Sequence, residues 1–157
     1  MPNTEKILKY LLIANILIIL TVYYIEYIMG IYACNLCKYQ RVPVFINIFL
    51  LSILIINKKK FFKLLYILIL SITINIMIST YHIGIEQNIF SESKICTSKD
   101  NILNKKDELL KQLEKKNDAG CSKVTFKLFG LSLSMLNFFT NIVFLILCVH
   151  ILRNEKE

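Results

Sequence analysis

The sequence predicts an all-α membrane protein: a four-transmembrane-helix bundle with a long outer loop that carries a short amphipathic helix. Three observations support this fold class. The chain of 157 residues is 55% hydrophobic, above the roughly 45–50% typical of soluble domains. Its isoleucines and leucines are gathered into four long runs, and most charged residues lie between those runs. The length suits one domain, so residues 1–157 are predicted to form a single integral membrane domain.

Each apolar run is long enough to cross a bilayer as a helix, which takes about 20 residues. The predicted spans are at about residues 8–29, 40–57, 62–81 and 129–152. A cleaved signal peptide fits the first run poorly, because its apolar core is too long and no small-x-small site follows it. Pro43 lies near the start of the second span, where a missing backbone N–H is least costly.

The distribution of lysines predicts the orientation in the membrane. The formal net charge is +8, but the lysines flank apolar runs or lie in one loop, so we expect no nucleic-acid partner. The short connection at residues 57–63 carries four lysines and should therefore face the cytoplasm. This orientation places both termini in the cytoplasm and the connections at about 30–39 and 82–128 outside.

The long outer loop contains the predicted amphipathic helix, at residues 100–116. Its leucines and isoleucines recur at helical spacing, which is typical of a helix with one apolar face. Two placements of this helix stay open: packed against the rest of the protein, or lying on the membrane surface with its lysines at lipid headgroups.

The predicted topology divides the five cysteines into two groups. Cys148 falls inside the last span, where a cysteine is usually a small core residue. Cys34, Cys37, Cys96 and Cys121 fall outside, where disulfides persist. Four cysteines allow three pairings, and they could form an electron relay, two structural staples or a zinc site. We predict no metal, because the second pair lacks the close spacing of zinc ligands.

The position of the first cysteine pair favours a redox use. Cys37 is predicted to lie at or just before the start of the second helix, where unpaired N–H groups favour a thiolate. Arg41 follows one turn later on the same face. A charge at a membrane boundary is costly unless it reaches headgroups or serves a function. Arg41 could contact headgroups, or it could hold a polar group of a lipid-soluble molecule beside Cys37.

Residues 34–41, Cys-Asn-Leu-Cys-Lys-Tyr-Gln-Arg, resemble the CxLCxxQR motif of the DsbB family of disulfide bond formation proteins. The resemblance covers nearly the whole chain, including four spans and a cysteine pair in the second outer loop. Residues 81–86 and 129–137 resemble the family's segments at the end of the third span and the start of the fourth. Two departures are visible: Ala33 replaces a frequent proline, and residues 135–136 replace a tryptophan-containing stretch.

The resemblance implies an enzyme, a quinone-dependent protein-disulfide-generating oxidoreductase of the bacterial inner membrane. Such a protein would reoxidise a DsbA-like oxidase of thioredoxin fold and pass the electrons to the membrane quinone pool. By motif position, Cys96 would form the mixed disulfide with the partner. Cys121 would then be released and would exchange with Cys34.

The resemblance also implies a quinone site, for either ubiquinone or menaquinone. Cys37 would engage the quinone and Arg41 would support it. His82 is a further candidate for this site, although a histidine at the end of a span is often an interfacial anchor. A quinone is a suitable electron sink, since a DsbA-like disulfide is already a strong oxidant at about −120 mV.

Two other functions compete with this interpretation. A vitamin K epoxide reductase-like enzyme is also a four-span, quinone-linked thiol enzyme, but its lone loop cysteines precede the CxxC pair, whereas here the CxxC comes first. A small membrane assembly or binding protein with structural disulfides would have an inert CxxC pair, and quinone would have no effect on it.

Overall fold

The computed structural model describes residues 2–31, 33–57, 61–91, 96, 121, 126–128 and 130–155. Four long helices account for most of these residues: α1 (Pro2–Tyr27), α2 (Asn35–Ile56), α3 (Phe61–Glu86) and α4 (Leu133–Asn154). Two short strands, β1 (Lys127–Leu128) and β2 (Leu131–Ser132), pair antiparallel just before α4.

All four helices are long and apolar enough to cross a membrane. The prediction of a helical protein with four potential spans is therefore confirmed. The amphipathic helix predicted at residues 100–116 lies outside the described part of the chain. Many large apolar side chains on these helices are exposed, as expected where lipid rather than water surrounds a bundle.

Two of the helices extend further into the outer segments than predicted. The second helix begins at Asn35, slightly before the start expected at or just after Cys37, and the third continues to Glu86, past the predicted span that ends at about residue 81. The early start of α2 has a local cause, since Cys34 has extended backbone and its side chain accepts the Cys37 N–H as an N-cap. Cys37 and His82 consequently lie inside helices rather than in connections.

The two ends of the bundle differ in character. One end holds an apolar core drawn from the start of α1 and α3 and the end of α2 and α4, with the members Leu8, Leu11, Leu50, Leu51, Leu54, Leu65, Leu68, Ile72, Phe144, Cys148 and Ile151. The opposite end holds a second cluster, with the members Cys34, Leu36, Ile85, Cys96 and Cys121. The helix packing thus gathers both cysteine pairs at one end.

Candidate active site

The two cysteine pairs meet at one end of the bundle, the end that the predicted orientation places outside the cytoplasm. Cys96 and Cys121 form a disulfide whose Cα atoms are 5.5 Å apart. Cys34 and Cys37 are free thiols, with sulfurs 3.2 Å apart. Cys121 Sγ, Cys34 Sγ and one imidazole nitrogen of His82 all lie within 4.8 Å of one another. A small movement would therefore bring Cys121 and Cys34 into bonding distance, which is the requirement for thiol–disulfide exchange.

Cys34 is the cysteine on which the hydrogen-bond donors converge. Its sulfur accepts the Cys37 backbone N–H at 3.4 Å and lies 3.5 Å from His82 Nε2. The hydrogen bond with the Cys37 side chain is the largest cause that lowers the pKa of Cys34, to about 4, and burial opposes it. The helix start predicted to favour a thiolate at Cys37 thus favours one at Cys34, because Cys34 occupies the N-cap.

A pH profile tests this ionisation. Because Cys34 is an acid with a pKa lowered from 9.0 to about 4, its contribution to folding stability is complete above pH 9.0 and is lost as pH falls through about 4. We expect iodoacetamide to modify the reduced pair at a nearly constant rate from about pH 8 down to about pH 5. The measurement uses mass spectrometry in a Cys148→Ser background, where the pair supplies the free thiols. A tenfold fall in rate for each pH unit below 8 would contradict this ionisation.

His82 lies one turn inside α3 and is only 2% exposed, so it does not act as an interfacial anchor. Its Nε2 faces Glu86 Oε1 at 3.6 Å as well as the Cys34 sulfur. Its Nδ1 lies 3.3 Å from the side-chain nitrogen of Gln40. The structure therefore brings His82 against the CxxC pair.

Arg41 is paired with an acid that the sequence interpretation overlooked. Its Nη1 forms an ion pair with Glu26 on α1, and both side chains are 12% exposed. The guanidinium also lies over the Tyr23 ring, 5.1 Å from the centroid. The available signal was a single carboxylate inside the first apolar run, because such residues inside a membrane usually have a partner and a function.

Part of the Arg41 side chain is left without a partner. Among the described residues, nothing accepts a hydrogen bond from its Nε or Nη2, although both atoms are buried. An unpaired buried donor is costly, and Arg41 borders a cavity where a ligand oxygen could accept these hydrogen bonds. At this point of the cavity, a bound molecule with a hydrogen-bond acceptor would satisfy both Arg41 donors.

The cavity has a volume of about 310 Å³ and is bordered by all four helices. Aliphatic side chains such as Val22 and Leu136 form much of its wall. The polar part of the wall includes Glu26, Cys34, Cys37, Gln40, Arg41, His82, Glu86, Cys121 and Asn137, together with the hydroxyl side chains Thr21, Ser132 and Thr140. An apolar cleft with a few polar groups suits a flat organic ring that carries oxygens at its edge. These residues fit a quinone of the kind that the sequence implies.

The cluster of Cys34, His82 and Cys121 also has the spacing of a metal site. In this state Cys121 is bonded to Cys96, and the metal ligand is a thiolate rather than a disulfide sulfur. The same spacing serves disulfide exchange directly, so exchange is the use that the arrangement favours.

A set of amide side chains extends from this site into the bundle, and sequence reasoning missed it. Gln40 of α2, Asn75 of α3 and Asn137 and Asn141 of α4 are connected by side-chain hydrogen bonds. In the sequence, each of these residues is an isolated polar side chain within an apolar run. They become hydrogen-bonded neighbours only when α2, α3 and α4 pack together. Within each run, the signal was an amide placed on the face that carries the buried residues.

Comparisons with known proteins agree with this architecture. A family model described as disulfide bond formation protein DsbB matches residues 5–151. An uncharacterized protein of Rickettsia prowazekii (strain Madrid E) is 34% identical over 156 residues, covering 97% of this chain and 90% of that protein. The family match takes in both cysteine pairs and the residues that border the cavity.

Proposed function

Since the chain belongs to the family of disulfide bond formation protein DsbB, we propose that it is a membrane thiol:quinone oxidoreductase that reoxidises a DsbA-like dithiol oxidase. Family membership and four apolar helices establish a multi-pass membrane protein of disulfide formation. The proposal adds the electron donor and the electron acceptor. The observation that supports it best is the meeting of two cysteine pairs beside one apolar cavity.

The first step of the proposed relay uses the outer pair. A thiolate of the reduced partner attacks Cys96 of the Cys96–Cys121 disulfide. A mixed disulfide forms between the partner and Cys96, and Cys121 leaves as a thiolate. The partner's second thiol then displaces Cys96, so the partner becomes a disulfide and the outer pair gains two electrons.

The second step moves those electrons to the inner pair. The Cys121 thiolate attacks Cys34 of a Cys34–Cys37 disulfide, and Cys37 leaves as a thiolate. Cys96 then attacks Cys121, and Cys34 is the leaving group. A thiol with a low pKa leaves faster, so the pKa of about 4 at Cys34 promotes this closure. The described state, with Cys96–Cys121 bonded and Cys34 and Cys37 free, is its product.

The last step re-forms the Cys34–Cys37 disulfide and needs an acceptor for two electrons and two protons, which a membrane quinone supplies. Cys37 is the proposed contact between the relay and the quinone. The unpaired Arg41 Nε and Nη2 donors are placed to hold a carbonyl oxygen of the ring. Glu26 fixes the other side of the guanidinium, and His82 completes the polar wall of the proposed site.

A trapping experiment tests the order of the relay. In Cys121→Ser, Cys96 stays a thiol and can attack the disulfide of the oxidised partner, so that one partner cysteine leaves as a thiolate. Without Cys121 the outer pair cannot close, so a mixed disulfide between the partner and Cys96 is expected to accumulate. Non-reducing electrophoresis and peptide mapping identify the linked cysteine. Cys148→Ser is the matched control, since it removes a sulfur in the apolar core and should trap no partner. A partner linked through Cys34 alone would overturn this order.

The proposed orientation places residues 1–157 as one domain in a bacterial inner membrane, with both termini in the cytoplasm. It follows from the four lysines at residues 57–63. We expect an alkaline phosphatase fusion after residue 59 to be inactive and one after residue 91 to be active. The reverse pattern of activity would invert the proposed topology and place both cysteine pairs in a reducing compartment.

A further inference from the structure

The amide side chains behind the active site reach the imidazole ring of His82. They form a continuous series of hydrogen bonds from α4 through α2 to the imidazole ring. Gln40 is 7% exposed, Asn141 is 3% exposed and Asn75 is fully buried, so bulk water competes little for these three amides. Asn137, which connects them, is part-buried and borders the cavity. The direction of each hydrogen bond can therefore be followed from one residue to the next.

The series begins at a group whose role is certain. The side-chain nitrogen of Asn141 lies 2.7 Å from the backbone carbonyl oxygen of Asn137, and a carbonyl oxygen can only accept. This contact identifies the Asn141 atom as the amide nitrogen. The same nitrogen lies 2.8 Å from the side-chain oxygen of Asn137, which is therefore an acceptor too.

The Asn137 side-chain nitrogen must then point the opposite way, toward α2 and α3. It faces three oxygens: Ser79 Oγ at 2.9 Å, and Asn75 Oδ1 and Gln40 Oε1 at 3.3 Å each. With its oxygen held by Asn137, Gln40 presents its nitrogen to His82 Nδ1 at 3.3 Å. An amide nitrogen only donates, so Nδ1 must accept and cannot carry a proton.

We propose that Gln40, Asn137 and Asn141 are positioning residues that hold His82 as the neutral tautomer with its proton on Nε2. That N–H faces the Cys34 sulfur at 3.5 Å and Glu86 Oε1 at 3.6 Å. His82 is thus a hydrogen-bond donor to the Cys34 thiolate rather than a base that takes its proton. A proton on Nδ1 would set two N–H groups against each other in a buried site.

The tautomer assignment rests on geometry alone, while its effect on catalysis rests on the proposed function. A donor beside the sulfur stabilises the Cys34 thiolate when it leaves during closure of the outer pair. The amide series does not continue to the other end of the bundle. Ile72 and Phe144, three residues beyond Asn75 and Asn141, already belong to the apolar core. Among the described residues, the amides therefore serve the active site rather than a path across the membrane.

Nitrogen-15 NMR of the imidazole rings measures the tautomer directly. The chain has two histidines, and His150→Gln leaves His82 as the single labelled ring. His150 is an exposed residue bonded to Asn154, so this background leaves the active site unchanged. With Cys34 and Cys37 reduced and Cys96–Cys121 oxidised, as in the described state, we expect Nε2 to resonate as a protonated nitrogen and Nδ1 as an unprotonated one. A protonated Nδ1 would overturn the proposal.

An isosteric change at Asn137, which is two steps from His82 along the series of hydrogen bonds, gives a sharper test. In Asn137→Asp a carboxylate oxygen replaces the nitrogen that faces Gln40, so the Gln40 amide should rotate and present its oxygen to His82. The proton should then move to Nδ1. Gln40→Glu places a carboxylate oxygen against Nδ1 directly and should give the same reversal, which keeps the test decisive if the first variant fails to fold.

Asn47→Asp is the matched control. Asn47 is 1% exposed and makes no side-chain hydrogen bond within the described part of the chain, so the same substitution there should leave the proton on Nε2. If folded Asn137→Asp or Gln40→Glu keeps the proton on Nε2, the amides do not set the tautomer and the proposal is wrong. The proposal is also wrong if Asn47→Asp moves the proton to Nδ1 to the same extent as Asn137→Asp or Gln40→Glu does.

The functional readout separates this inference from the proposed function. Exchange between the cysteine pairs should slow about tenfold in Gln40→Glu, the effect of losing one hydrogen bond to a charged group. The rate is followed by trapping with a thiol reagent after the partner reduces the outer pair. If the wild-type protein does not reduce quinone, the proposed function fails while the NMR result stands. If the tautomer is unmoved but quinone is reduced, only this inference fails.

Discussion

Replacement of Cys37 by serine is expected to abolish quinone reduction, lowering the rate by roughly a thousandfold or more. A serine oxygen cannot form the Cys34–Cys37 disulfide, so the electrons that reach Cys34 have no covalent route onward. The sulfurs of the wild-type pair lie 3.2 Å apart, so the change removes one atom from a geometry that is otherwise kept. The measurement is quinone absorbance in proteoliposomes supplied with a reduced thioredoxin-fold dithiol.

Cys148→Ser makes the same chemical change at another free cysteine and should retain most of the activity. Because Cys148 is fully buried in the apolar core, this control also reports the general cost of introducing a buried hydroxyl. Full activity in Cys37→Ser would remove Cys37 from the relay and would leave the inner pair without its proposed role.

Replacement of Arg41 by methionine is expected to raise the KM for quinone by about 10- to 100-fold. The estimate comes from the roughly 1.5–3 kcal/mol carried by hydrogen bonds to a charged group. Two buried guanidinium donors at the cavity have no acceptor among the described residues, so the bound quinone should be their partner. Exchange with the dithiol partner should be nearly unchanged, because Arg41 makes no contact with the outer pair among its described hydrogen bonds and ion pairs. Steady-state kinetics at varied quinone concentration measure the effect.

The Arg41 variant also leaves Glu26 as a buried carboxylate without its cation, which destabilises the fold by about 3–5 kcal/mol. The double variant Arg41→Met with Glu26→Met removes both charges and should recover that stability. It should not recover the affinity for quinone. If quinone KM returns to the wild-type value in the stable double variant, Arg41 acts through the fold and not through a contact with quinone.

The membrane architecture was predictable because it depends on local composition. Each span is a run of apolar side chains whose length matches the bilayer, and the lysines at residues 57–63 predict the orientation without any knowledge of packing. The motif from Cys34 to Arg41 was equally visible, since its residues lie within two helical turns of one another. The helix at residues 100–116 stays a prediction.

The partners of those motif residues could not be predicted, because they come from other helices. Glu26 meets Arg41 only at one rotation of α1 about its axis, and a nearly uniform apolar helix gives little indication of that rotation. His82 was located, but its contacts with Cys34 and Gln40 depend on how α2 and α3 pack. The start of α2 was also placed slightly late, at or just after Cys37, because a cysteine is an uncommon N-cap and gave no signal for a helix start at Asn35.

A coupled stoichiometry directly measures the proposed transfer of electrons from a partner dithiol to quinone. Purified protein in proteoliposomes with ubiquinone or menaquinone is mixed with a reduced thioredoxin-fold dithiol, and quinone absorbance and partner thiols are followed together. We expect one quinone to be reduced for each partner disulfide formed, with both signals lost in Cys37→Ser. Partner oxidation without quinone reduction, or no oxidation when quinone is present, would contradict it.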